Sequence, residues 1–179
     1  MTDAGITTLA VLGVIGQAVL ALLLVAALLR LAGVDAPWRF VRETLLGSEL
    51  WLAFGIAAIA TLGSLFFSEV AHFIPCKLCW FQRIAMYPLV LLALPALALD
   101  RQAARYFLPL PIVGFAVSVW HMLVERGVIS ETQSCEISAP GGCSVKWIEE
   151  FGYMTIPTLA ATGFALIGIL LALSSAAEE

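Results

Sequence analysis

Chemistry in this sequence concentrates at two cysteine pairs. Cys76 and Cys79 stand with two residues between them, Pro75 precedes them, and Arg83 follows four residues after the second. A long apolar run begins at Trp80. This spacing predicts a helix N-terminus at or near Cys79, where the positive end of the helix dipole favours an anion and lowers a thiol pKa. Arg83, one turn on, shares that face. Its cation can stabilise a Cys79 thiolate or bind an electron-rich oxygen of a second reactant. An unpaired arginine inside a bilayer costs about 3 kcal/mol, so Arg83 reads as functional. An arginine snorkelling to the headgroups is the plainer alternative. The second pair, Cys135 and Cys143, lies in the turn-rich segment SCEISAPGGCS. Alone, such a pair reads as a structural staple. Beside a second pair on the same face of a membrane, it reads equally as a partner in thiol–disulfide exchange, which needs only a thiolate in line with a disulfide. No metal is expected. Trp80 stands where a c-type haem site needs His, and the Cys135/Cys143 spacing fits a zinc site poorly.

The elements that must position these residues are membrane helices. Of 179 residues, 61% are hydrophobic and 12% charged, against about 25% charged in an ordinary soluble domain. The net charge of −4 argues against a nucleic-acid partner. Five runs reach the roughly 20 apolar residues of a spanning helix: Ile6 to Leu29, Leu50 to Ser68, Trp80 to Leu99, Tyr106 to Val124 and Phe151 to Leu173. Only Arg83 and His121 are plainly titratable within them. The pattern does not alternate, which disfavours a barrel. The first run lacks a basic flank and exceeds a signal-peptide core, so it is expected to be retained. The segment Val34 to Leu46, with Pro37 early and Trp38, Val41 and Leu45 on one face, predicts a short amphipathic helix on the inner surface; a solvated linker is the alternative. Asp100 to Arg105 is a short connection between neighbouring helices.

Arg30, Arg39 and Arg42 between the first two runs, and Arg101 and Arg105 between the third and fourth, place both loops in the cytoplasm. The N-terminus and all four cysteines are then extracytoplasmic, the C-terminus is cytoplasmic, and disulfides persist where the cysteines lie. A relay between two pairs needs a terminal acceptor. The sequence has no dinucleotide fingerprint, haem motif or iron–sulfur spacing, which leaves a lipid-soluble oxidant, a quinone, by elimination.

PCKLCWFQRIAMYPL (Pro75 to Leu89), WHML (Trp120 to Leu123) and GGCSVKWIEEFGYMTIPTLA (Gly141 to Ala160) occur in that order. Together they resemble the DsbB/BdbC family of disulfide-bond-forming membrane proteins, over about Leu50 to Leu173. The resemblance implies an all-α fold with a four-helix transmembrane core in a bacterial plasma membrane. Here that core would be residues 50–173 with an extracytoplasmic loop over 125–150. It would be preceded by an extra N-terminal transmembrane helix (1–33) and a cytoplasmic-side amphipathic linker (34–49), and followed by a tail (174–179).

The resemblance further implies a membrane thiol:quinone oxidoreductase that reoxidises an extracytoplasmic thioredoxin-like (DsbA-like) dithiol protein. Cys135 and Cys143 would exchange with that partner, Cys135 forming the mixed disulfide. Cys76 and Cys79 would be reoxidised by menaquinone or ubiquinone, with Cys79 at the quinone, Arg83 beside it and His121 a hydrogen-bond donor to it. The N-terminal helix is a departure from the four-helix pattern. Two other readings stand beside this one. A vitamin K epoxide reductase-like oxidase performs similar chemistry but places its loop cysteines before the CxxC. A non-catalytic membrane protein with two structural disulfides would leave Arg83 unexplained.

Overall fold

The computed structural model describes residues 2–99 and 104–176. Residues 100–103 of the expected Asp100 to Arg105 connection, Arg101 among them, and the last residues of the tail lie outside the described residues. So does the side chain of Arg105.

A long helix α1 (Thr2–Leu31) leads to α2 (Ala36–Leu45), whose first turn holds Pro37. Pro lacks the amide that a first turn leaves unpaired, so it fits there. Trp38, Val41 and Leu45 are half-buried on one face of α2, while Arg39 and Glu43 are exposed, so the expected amphipathic helix forms. Arg30 lies over the Trp38 ring at 5.5 Å and ties α2 to the end of α1. Then come α3 (Glu49–Leu65), a π-helical turn (Phe66–Val70), α4 (Lys77–Leu99), α5 (Ala104–Phe107), α6 (Pro109–Glu125), α7 (Gln133–Glu136) and α8 (Ile156–Ala176).

Two runs are shorter as helices than the sequence suggests. The fourth breaks at Leu108 and restarts at Pro109, because proline suits a first turn, where its missing amide is not needed. The fifth begins at Ile156 rather than Phe151. Phe151 (φ 54°) and Gly152 (φ 76°) are left-handed, and Glu150 pairs with Met154 in an isolated bridge.

Helices α3, α4, α6 and α8 pack in a ring, each against the next, and α1 lies outside against α8 and α2. The core joins Leu50, Ala53 and Ala57 of α3, Ala85, Met86 and Leu89 of α4, and Phe164, Ile167, Leu170 and Leu171 of α8. Small residues let membrane helices approach closely. Gly114 of α6 is one: a Cβ there would strike the Phe164 ring. By length and composition α1, Glu49–Val70 and Ile156–Ser175 can each cross a membrane, and α6 is a shorter apolar helix. Their outer faces carry large exposed apolar side chains such as Leu22, Leu62 and Ile112, a surface that water does not tolerate at this extent. The chain is an all-α membrane protein.

The turn after α3 aims the site. His72 adopts φ 57°, a left-handed value that His accepts more readily than most residues. The Phe73 amide then reaches back to the Phe67 carbonyl at 2.9 Å, a helix-ending closure. The chain reverses and delivers Pro75 and Cys76 to the start of α4.

Candidate active site

Cys76 caps α4. Its carbonyl accepts the first helical hydrogen bond, from the Trp80 amide at 3.1 Å. Its sulfur accepts from the Cys79 amide at 3.4 Å. An N-cap side chain accepting from the third helical residue satisfies an amide the helix leaves free; here sulfur does so. Both residues are thiols, with sulfurs 3.0 Å apart. The Cys79 thiol beside it holds the Cys76 thiol well below its ordinary value, against the burial that pushes it up. The His121 ring, 3.7 Å away, and the Cys79 amide add to the lowering. In the reduced pair Cys76 is therefore the sulfur best supplied with donors.

Cys135, on α7, is bonded to Cys143, with Cα atoms 5.5 Å apart. Gly141 and Gly142, at φ 82° and 73°, turn the loop back between them, a conformation glycine adopts without a Cβ penalty. Glu131 braces the return. Its carboxylate accepts from the Cys143 amide at 2.8 Å and from the Ser144 hydroxyl at 2.9 Å. Ser138 pins the loop to α4, donating to the Cys135 carbonyl at 2.7 Å and accepting from the Lys77 amide at 3.1 Å. Cys76, Cys135 and Cys143 thus share one buried cluster with Val124 and Ala139, with Cys79 packed against it.

His121, 3% exposed, stands inside that cluster. The Gln82 amide donates to Nδ1 at 3.4 Å, which leaves Nε2 to donate to the Cys143 carbonyl at 3.1 Å. Nε2 also faces Cys76. The ring therefore touches both cysteine pairs and is absent from the wall of the cavity described next.

That cavity, of about 720 Å³, is bounded by α1, α2, α3, α4 and α8 and has almost wholly apolar walls. Its polar end holds Cys79, Gln82 and Arg83; Cys76 does not line it. Phe73 and Trp147, stacked 5.2 Å apart, stand at the same end. The Arg83 guanidinium donates to the Ser64 hydroxyl and carbonyl, each at 2.9 Å, and lies 5.2 Å over the Trp80 ring. It is thus held across the α3–α4 seam rather than snorkelling free, and no direct hydrogen bond joins it to Cys79. A flat ring with polar oxygens and a hydrocarbon tail fits these walls: aromatic faces, a thiol, an amide and a cation at one end, hydrocarbon beyond. The sulfurs of Cys76 and Cys79 with His121 form a three-donor set within 4.8 Å, a soft set that zinc accepts. Glu131 with Cys135 and Cys143 is equally compact, but its sulfurs are committed to the disulfide.

All six residues singled out in the sequence gather within this region. Four more do work that the sequence reading missed. Gln82 was visible as a polar residue in an apolar run, beside Arg83. Ser138 was visible three residues after a loop cysteine. Glu131 and Ser64 carry no local signal, since each acts on a residue brought to it by the fold.

Most of the chain matches one family of known proteins. The family described as "Disulfide bond formation protein DsbB" matches residues 48–174. "Disulfide bond formation protein C" of Bacillus subtilis (strain 168) is 44% identical over 126 residues, which is 69% of this chain and 90% of the relative. A "Probable disulfide formation protein" of Deinococcus radiodurans is 41% identical, over 69% of this chain and 86% of its own. One of the same description from Metapseudomonas resinovorans is 41% identical, over 68% and 85%. No solved structure matches the chain.

Proposed function

The chain belongs to the DsbB family of disulfide bond formation proteins, and from that premise we propose that it is a thiol:quinone oxidoreductase serving a thioredoxin-like, DsbA-like dithiol protein outside the plasma membrane. It is a disulfide-forming membrane oxidoreductase. The finer reading rests above all on one observation: the two sulfurs of the CxxC face different neighbours. Cys79 opens onto the apolar cavity beside Arg83, while Cys76 is buried against the Cys135–Cys143 disulfide with His121 between them.

The electron balance follows. A partner thiolate attacks Cys135, breaking the Cys135–Cys143 bond and forming a mixed disulfide. The partner's second thiol resolves it, leaving the partner oxidised and the loop pair as two thiols. Those thiols reduce the Cys76–Cys79 disulfide in the same manner. His121, donating through Nε2, stabilises the negative sulfur at Cys76 during that exchange. A quinone supplies the final acceptor of two electrons and two protons. Toward it Cys79 presents the reactive sulfur, Arg83 a fixed cation, Gln82 an amide, and Phe73 and Trp147 a stacking face. No metal is needed for any step. The arginines at the inner helix ends support an orientation with the N-terminus and the cysteines outside.

The test is quinone reduction by the purified protein given a reduced thioredoxin-like dithiol protein. Wild type turns over. Cys79→Ser and Cys135→Ser are inactive, and Arg83→Ala raises KM for the quinone. If wild type reduces neither menaquinone nor ubiquinone and its disulfides survive the dithiol, the cysteines are structural and the proposal fails.

A further inference from the structure

One wall of the cavity lies outside the region shared with the family. The family match begins at residue 48, yet α1 and α2 line the cavity along much of its length. Leu9, Leu12, Gly16, Val19 and Leu23 recur at three- and four-residue steps and form one face of α1. Val41 and Leu45 of α2 line it as well. On the opposite wall the lining runs along α3 from Ser64, which holds Arg83, to Leu52. The twelve residue steps between them span about 18 Å at 1.5 Å per residue.

The wall is fixed in place. A side chain on Gly13 would strike Leu159, and one on Gly63 would crowd Leu9. Gln17 donates to the Thr162 hydroxyl at 3.5 Å and accepts from the Tyr153 hydroxyl at 2.9 Å. These contacts set both the distance and the rotation of α1 against α8. A lipid-facing groove between α3 and α8 becomes a walled shaft that starts at the reactive sulfur and ends at the amphipathic helix.

We propose that α1 and α2 build a binding shaft for the isoprenoid tail of the quinone, and so set acceptor affinity and tail-length preference without taking part in the redox chemistry. This deepens the reading of the acceptor as a quinone and rests on it. The cavity is continuous from Cys79 and Arg83 into the hydrocarbon-lined shaft, so a head bound at the thiol must send its tail along α1.

The test reads binding as well as turnover. The probe is a long-chain isoprenoid alcohol carrying no redox head, titrated against the full chain in lipid nanodiscs. Val19→Trp fills the shaft. Val25→Trp adds the same bulk to an exposed α1 position outside the lining. Val19→Trp is expected to weaken probe binding about tenfold and raise KM for a long-tailed quinone by a similar factor, a loss of about 1.4 kcal/mol. Its kcat and KM with a tail-less quinone, and all constants of Val25→Trp, stay at wild-type values. Thermal unfolding of both variants checks that they are folded; if Val19→Trp is not, Val19→Phe and Leu12→Phe take its place.

The inference is overturned if the probe does not bind wild type, if Val19→Trp binds it as wild type does, or if a straight-chain alcohol of equal length displaces it equally well. The last result would mark the shaft as a site for lipid acyl chains. Failure of the quinone reading looks different: the probe binds and is lost in Val19→Trp, yet no quinone with or without a tail is reduced.

Discussion

At the residue scale, the reactive pair divides its labour between two sulfurs three positions apart. Cys76 collects the donors, and its lowered pKa has a direct readout. A group whose pKa is depressed stays charged above the new value and is neutralised only as pH falls through it. In the reduced protein the thiolate absorbance should therefore persist below the ordinary thiol pKa of about 8.5 and vanish only as pH falls further. Linkage gives the same sign: the reduced fold gains stability as pH rises through that window and loses it as pH falls. Removing the largest cause, in Cys79→Ala, should move the absorbance midpoint up by pH units; an unmoved midpoint would mean that Cys79 does not set it. His121 makes a separate case. His121→Ala should slow electron transfer from the loop pair to the CxxC by roughly 10²-fold, a typical proton-transfer contribution. Reoxidation of a pre-reduced CxxC by quinone should be little changed. Rapid-quench alkylation resolves the two steps, and equal slowing of both would place His121 at the quinone instead.

At the element scale, the close α6–α8 contact depends on a missing side chain. Gly114→Val would drive a branched group into the Phe164 ring and should cost ~1–3 kcal/mol by overpacking, seen as a lower unfolding temperature in detergent. Gly55, with nothing within reach of an added Cβ, is the control, and Gly55→Ala should be neutral or stabilising. The helices were legible in the sequence because their signal is local: uninterrupted apolar runs, Pro37 in a first turn, a CxxC next to a run. Their ends were less so. Phe151 reads as apolar helix, and only its left-handed backbone, shared with Gly152, shows a turn that holds the chain out until Ile156. The site was half legible for the same reason. Its cysteines, Arg83 and His121 announce themselves by type, and Gln82 and Ser138 by position. Ser64 meets Arg83 across a helix seam, and Glu131 meets Cys143 across a glycine turn, which are contacts that no local pattern encodes. His121 illustrates the limit most sharply. Its place at the end of a helix was readable, but which of two neighbours it faces depends on how α4, α6 and the loop converge.

At the scale of the whole molecule, the arrangement makes a claim about which side of the membrane is which. A fluorescent protein fused after Glu179 should mature in the cytoplasm, while an enzyme reporter active only outside should work when fused before Met1; the reverse pattern would invert the proposed orientation. The two-faced CxxC then has a pharmacological meaning. On the proposed path the CxxC is a feed-through between two phases, joined to the loop on one side and to the hydrocarbon shaft on the other, so the protein would present two separate targets for poisons. When the CxxC is reduced, an apolar maleimide dissolved in the bilayer should reach the Cys79 thiol through the shaft while the loop disulfide stays closed. A charged maleimide in the medium meets only that closed disulfide, and gains thiols to modify only after a partner has opened it. Mass shifts on the intact chain would distinguish the two routes, and drugs built for one would be blind to resistance arising in the other.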